Sequence, residues 1–224
     1  MSINTKAALA VLGLSGALMA GAASAATLAG NNVSFSFDAN ALGLFGTASV
    51  DGDSLVFSPA NFLASGAAPS ATQTVNITVT ANSGYFLSAF SLAEEGEYRL
   101  PSLSDMVWLQ GNLTALDIEG NTSLSVASNI VGPAFVGGTS GSWQGGAAVV
   151  LPASGWGGAD GLVTSVSLTI NNYLFAMGGG QIWKEAITVE AVATPVPEAD
   201  TVLMMLAGLG LVGLMASRRS RLAD

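Results

Sequence analysis

The residues that could do chemistry fall into a few small groups. Glu94, Glu95 and Glu97 precede Tyr98 and Arg99. Two carboxyl groups held about 5–9.5 Å apart can hydrolyse a glycoside, one as acid and the other as nucleophile or base. Acidic residues near a strand end more often form a solvated turn, and that is the expectation here. Asp51-Gly52-Asp53 offers two neighbouring carboxylates, whereas calcium takes about six to eight oxygen ligands. No EF-hand or calcium-binding repeat accompanies them, and Asp-Gly suits a hairpin turn that needs positive φ. Trp108, Trp143, Trp156, Trp183 and Tyr173 supply rings on which a sugar could stack. Trp183 lies in an alternating segment and is expected in the core. Trp143 and Trp156 lie in a Gly-rich stretch and are expected to be exposed. No catalytic residue, cofactor or metal ligand is assigned.

The chain contains no His and no Cys. Ser-His-Asp and Cys-His machinery is therefore impossible within it, as are zinc sites built on those side chains. With no cysteine, the redox compartment cannot be read from disulfides. Only 9% of its 224 residues are charged, and the net charge is −9. Between residues 26 and 193 there are twelve acidic residues against Arg99 and Lys184, leaving −10. Nucleic-acid binding is disfavoured, since phosphate contacts need clustered Lys and Arg; the acidity serves solubility. Asn76-Ile77-Thr78, Asn112-Leu113-Thr114 and Asn121-Thr122-Ser123 fit the N-glycosylation pattern, which arises by chance in an Asn/Thr-rich chain.

The elements that must position these residues are strands. Val75, Ile77 and Val79 alternate with Asn76, Thr78 and Thr80, and Val33, Phe35 and Phe37 alternate with Ser34, Ser36 and Asp38. Val166, Leu168 and Ile170 alternate with Ser165, Ser167 and Thr169. Trp183, Ile187, Val189 and Ala191 are read as one face, with Lys184, Thr188 and Glu190 on the other. This period of two marks strands with one face in a core and one in water. Residues 45–58 read as a hairpin about Asp51-Gly52. Further strands are expected over 86–92, 107–118, 123–131, 143–151 and 162–173. Residues 132–161 are Gly-rich and are expected to form long loops. Nine or ten short strands without an amphipathic helix predict an all-β fold, an antiparallel β-sandwich or jelly-roll, over residues 26–193.

The two ends carry addressing signals. Residues 1–25 combine Lys6, an apolar stretch over 7–22, and Ala23-Ser24-Ala25, which fits the small-x-small pattern of signal peptidase. Cleavage is expected after Ala25. Residues 194–224 hold Val196-Pro197-Glu198-Ala199, then an uncharged apolar run, then Arg218, Arg219 and Arg221. Residues 201–217 would reach about 25 Å as a helix, a bare minimum for a single transmembrane span. Its apolar side chains surround the whole helix, whereas a core helix keeps a polar stripe. The basic tail, 218–224, is expected to stay cytoplasmic and leave the β-domain outside. Pro195 and Pro197 favour extended backbone, open to a membrane enzyme.

This order of Pro-Glu motif, short Leu/Gly-rich span and terminal Arg cluster resembles the PEP-CTERM sorting signal, although Ala199 stands where that family has a second proline. The resemblance covers about 29 residues of the chain. It implies a Gram-negative bacterial protein sorted and processed by a membrane-embedded exosortase. The implied partners are signal peptidase, exosortase, the membrane and exopolysaccharide. The implied route runs through the inner membrane to the outer surface or extracellular matrix. The expected function is that of a non-catalytic surface or matrix protein associated with exopolysaccharide or biofilm. The alternative is a secreted carbohydrate-binding module of the exopolysaccharide layer. A hydrolase working with carboxylates alone is a third reading.

Overall fold

Alternation of apolar and polar residues builds nearly every element of this protein, because each strand buries one face and wets the other. The structure, a computed structural model, describes residues 25–120, 123–132, 134–196 and 204–212. Residues 1–24, which include Ala23, lie outside the described residues, as do Pro197, Glu198, Arg218, Arg219 and Arg221.

Thirteen strands are present among the described residues. They are β1 (Ala25–Ala29), β2 (Val33–Asp38), β3 (Thr47–Asp51), β4 (Ser54–Ser58), β5 (Leu63–Ser65), β6 (Ser70–Ala81), β7 (Tyr85–Arg99), β8 (Met106–Asp117), β9 (Ser125–Asn129), β10 (Ala134–Val136), β11 (Ser140–Val150), β12 (Ser165–Met177) and β13 (Gln181–Pro195). One sheet runs β1-β2-β6-β12-β8-β10, with β9 also on β8. The other runs β11-β7-β13-β4-β3, with β5 also on β13. Every strand pairing is antiparallel. The two sheets face each other as an antiparallel β-sandwich. Three strands, β1, β5 and β10, exceed those expected from the sequence.

The core lies between the sheets. From the first come Phe35, Ile77, Val79, Leu113, Leu168 and Ile170, all essentially without exposure. From the second come Leu55, Phe57, Leu87, Phe90, Ile187 and Val189. Phe45 meets Phe57 edge-on at 5.1 Å between ring centroids and Phe62 at 5.9 Å. Each such side chain contributes about 1.5–3 kcal/mol on burial.

The hairpin about Asp51-Gly52 is present. Asp51 pairs with Ser54, and Gly52 takes φ 61°, a conformation that favours glycine. The long loops expected over 132–161 are in part strand, since β10 and β11 occupy much of that stretch. Glycine serves there for close approach. A Cβ at Gly146 would sit 2.4 Å from the Leu92 carbonyl oxygen, and one at Gly145 would sit 2.8 Å from Leu109 Cδ2. Phe57→Ala, at a fully buried position, is expected to lower stability by about 3–5 kcal/mol, read from the urea midpoint of the folded chain.

Candidate functional site: a buried Lys-Glu-Asn cluster and the C-terminal segment

Strand β7 is longer than the sequence suggests. It runs on through the acidic run, so its pleat divides the three carboxylates: Glu94 points into the core, while Glu95 and Glu97 are exposed. The solvated turn expected there is replaced by strand, because Phe90, Leu92, Glu94 and Gly96 continue one inward-facing row. Strand β13 carries Lys184 to the same place. A register shift between Lys184 and Ala186 leaves Glu185 as an extra residue, a β-bulge that reverses inward and outward faces. Ile187, Val189 and Ala191 are inward as expected, but so is Lys184, and Trp183 faces out. The face expected from the sequence is thereby corrected on one side of the bulge.

Asn172 arrives from the opposite sheet, in line with Val166, Leu168 and Ile170 of β12. Glu94, Asn172 and Lys184 are 2%, 0% and 4% exposed. Lys184 Nζ donates to Glu94 Oε2 and to Asn172 Oδ1, the latter at 2.7 Å, and Asn172 Nδ2 donates to Glu94 Oε1. The three side chains close a ring of hydrogen bonds. Lys184 Nζ also lies 5.4 Å from the ring centroids of Phe62 and Trp143, where ring faces attract a cation. Burial pushes the Lys184 ammonium down to about 8, against the opposing charge and hydrogen bond of Glu94.

Trp143 and Trp156, expected to be exposed, are 3% and 4% exposed and belong to the core. Trp143 fits because position 96 is glycine. A Cβ there would lie 2.0 Å from the Trp183 carbonyl oxygen and 2.9 Å from Trp143 Cζ2. The Trp143 indole N–H donates to the carbonyls of Glu97 and Trp183, each at 3.2 Å, so the buried donor is satisfied. On the outer face, half-buried Trp183 lines a groove of about 410 Å³ with Glu97, Arg99 and Ser142. On the outside of the other sheet Trp108 stacks on Phe175 at 4.8 Å, and Tyr173 lies 6.3 Å from Phe175.

The remaining carboxylates hold loops. Asp53 accepts from the backbone and side-chain nitrogens of Asn32, both at 2.7 Å. Among the described residues no group of three or more acidic or other ligating side chains could hold a metal. Asp117 accepts the N–H groups of Glu119, Gly120 and Gly157 at 3.0, 3.2 and 3.0 Å. Burial raises its carboxyl, but these three backbone bonds prevail and hold it below the ordinary value.

At the C-terminal side, β13 ends at Pro195 and the Val196 N–H donates to the Gly84 carbonyl at 2.8 Å. Residues 204–212 are helical and every one is exposed, Leu209 by 62% and Met204 by 74%. Among the described residues no helix is long and apolar enough to cross a membrane.

The segment 195–220 matches the family model of the PEP-CTERM protein-sorting motif. The chain carries a PEP-CTERM sorting motif at its C-terminal end. The motif implies export and processing by an exosortase, a membrane enzyme. It covers the tail of this PEP-CTERM protein and leaves the sandwich unassigned. No curated protein matches the chain. Among solved structures, a crystal structure of Caldicellulosiruptor saccharolyticus CBM27-1 in complex with mannohexaose is similar, with 11% identity over 72% of this chain and 88% of that one, at a TM-score of 0.27. A structure described as "CBM4 structure and function" shares 9% identity over 79% and 81% of the two chains, at a TM-score of 0.19. Neither likeness carries an argument about this PEP-CTERM protein.

Asp117→Asn is expected to cost about 1.5–3 kcal/mol at neutral pH, as for hydrogen bonds to a charged group. Folding lowers this carboxyl, so its contribution is complete above the unfolded value of 3.8 and drains away as pH falls through the folded one. Urea midpoints measured across pH should show the gap between variant and parent narrowing below 3.8.

Proposed function

We propose that this PEP-CTERM protein is a non-catalytic structural component of the outer surface or extracellular polymeric matrix, associated with exopolysaccharide. The observation that carries the reading is the sorting motif over 195–220. In this reading residues 1–25 are a signal peptide that signal peptidase recognises through Ala23 and Ala25. Residues 26–193 are the delivered domain. Residues 201–217 hold the chain in the inner membrane, with Arg218, Arg219 and Arg221 on the cytoplasmic side. Exosortase then acts near Val196-Pro197-Glu198.

The folded domain suits such handling. Its first strand starts at Ala25 and its last ends at Pro195, so a cut after Ala25 would take only the first residue of β1, paired with Asp38, and one near Glu198 would fall beyond β13. The outer faces are rich in Ser, Thr and Asn. Asn171 bonds Thr74 at 2.6 Å and Asn112 at 2.8 Å, and Thr169 bonds Asn76 at 2.8 Å. Such cross-strand polar pairs stabilise a wet sheet face without charge. Mass spectrometry of the protein recovered from its native host is expected to give termini at Ala26 and near Glu198. Recovery of the whole chain, uncut at either end, would overturn this reading.

A second reading, carbohydrate binding, keeps one observation in its favour. The tryptophans first expected to serve it are buried, but Trp183 stands half-exposed beside Arg99, the one exposed Lys or Arg among the described residues. If that groove takes a sugar, Trp183→Ala should weaken retention on a glycan array at least several-fold, since an aromatic stacking partner is typically worth about 0.5–1.5 kcal/mol beyond its buried area. Unchanged retention of the variant, or none by the parent, removes this reading.

A further inference from the structure

The buried cluster contains more than an ion pair. It places a primary amine against a carboxamide, with a carboxyl group touching both. Lys184 Nζ lies 2.7 Å from Asn172 Oδ1, and the Asn172 Cγ is one carbonyl bond further on. Glu94 binds the amine through Oε2 and the amide NH2 through Oε1. The Lys184 and Glu94 side chains are 0% exposed. These are the parts of an amide-exchange reaction: a nucleophile, an acyl group and a proton carrier between nucleophile and leaving group. Held in fixed contact, such groups react with an effective concentration far above any in solution.

We propose that Lys184 and Asn172 become joined by an intramolecular isopeptide bond, Nζ to Cγ, with Glu94 carrying the protons and ammonia released. The Lys184 ammonium first passes a proton to the Glu94 carboxylate, leaving a neutral amine and a neutral acid. The Nζ lone pair attacks Cγ, and the carbonyl electron pair moves onto Oδ1. Glu94 delivers its proton to Nδ2 and accepts one from Nζ. The carbonyl re-forms, the Cγ–Nδ2 bond breaks and ammonia departs. Of the hydrogens that began on Nζ and Nδ2, one stays on the new amide, three leave as ammonia and the last rests on Glu94. Nothing is oxidised or reduced, and no co-reactant is needed.

The surroundings favour each step. Burial already holds the Lys184 ammonium down at about 8, so the amine form is within reach near neutral pH. Phe62 and Trp143 flank Nζ and keep water from it. The reaction replaces a buried pair of charges by neutral groups, which relieves their desolvation. A depression of about 380 Å³, whose lining includes Phe62, Trp183 and Lys184, and another lined in part by Glu94 adjoin the cluster and offer ways out for ammonia. Asn172 belongs to β12 and Lys184 to β13, strands of opposite sheets. The bond would therefore staple the sandwich through its core, in a chain that has no cysteine for a disulfide. Each chain reacts once, which is self-modification without turnover. The inference rests on the cluster and is independent of the sorting reading.

The test is the intact mass of the folded full chain. It is expected to fall about 17 Da, one ammonia, below the mass of its own sequence between the observed termini. Trypsin should fail to cut after Lys184. Chymotryptic cleavage between positions 172 and 184 should leave the two pieces joined. Asn172→Asp should still cross-link but lose about 18 Da, one water, because the leaving group is now hydroxyl. Glu94→Gln and Lys184→Met should show no mass loss. A folded parent chain with unshifted mass, cut normally after Lys184, overturns the proposal. So does a mass loss that persists in Lys184→Met.

Discussion

A charge cannot be shut between two apolar sheets unless it is answered there. Leaving one member of a buried pair without the other typically costs about 3–5 kcal/mol, a large share of the roughly 5–15 kcal/mol by which a whole domain is stable. Lys184 and Glu94 meet that condition on one sheet, and Asn172 from the other absorbs the hydrogen-bonding capacity they leave over. Much of the nearby structure follows. Glu185 must bulge, or Lys184 would face water while Ile187 faced the core. Position 96 must be glycine, or Trp143 could not close the cluster. Among the described residues no buried side-chain nitrogen or oxygen is left without a partner, as a dry polar cluster requires.

The connection between β12 and β13 brings the two halves of the cluster opposite each other. It is a glycine turn, Gly178 to Gly180, gripped by one carboxylate. Asp105 accepts the Gly179 N–H and the Ser102 N–H, both at 2.8 Å. Gly178 takes φ 67°, and a Cβ there would lie 2.3 Å from Asp105 Oδ1. The turn carries the chain from one sheet to the other rather than to a neighbouring ladder, so residues close in sequence face each other across the core. β6 to β7, β7 to β8, β10 to β11 and β11 to β12 cross in the same way. This repeated crossing ties the sheets together, with Asn172 and Lys184 at its last stitch.

The sandwich was legible where one rule governs a whole strand. Val75, Ile77 and Val79 in β6, and Val166, Leu168 and Ile170 in β12, all point inward as alternation requires. The cluster was missed where two rules compete. Carrying the Phe90–Leu92 alternation one step further lands on Glu94 facing inward, but a carboxylate reads as solvated unless its partner is known, and that partner lies far along the chain. For Lys184 even the parity misleads, because nothing in the sequence marks Glu185 as an extra residue. Trp143 and Trp156 read as exposed because glycine-rich context suggests loops. In β11 those glycines mark close packing instead. The tail was legible because a sorting signal is defined by order and composition, which need no tertiary contact.

The two parts of this PEP-CTERM protein are joined by a physical argument as well as by the chain. The buried apolar set runs from Val33 to Ala191 and draws on both sheets, so the core is complete without the C-terminal helix. Residues 204–212 are exposed on every side and apolar on nearly all of them, a state that water does not favour for long. Nine helical residues span only about 14 Å, less than half of the hydrocarbon thickness. By themselves they are too short to cross it. In the proposed route, lipid would supply a solvent other than water during sorting, and processing near Glu198 would end the need for it. On this account the tail is an address that the fold never uses. In that route the sandwich would have to hold itself together once the tail is gone, and an uncharged covalent staple at Lys184 and Asn172 would let it do so without relying on salt, pH or a partner.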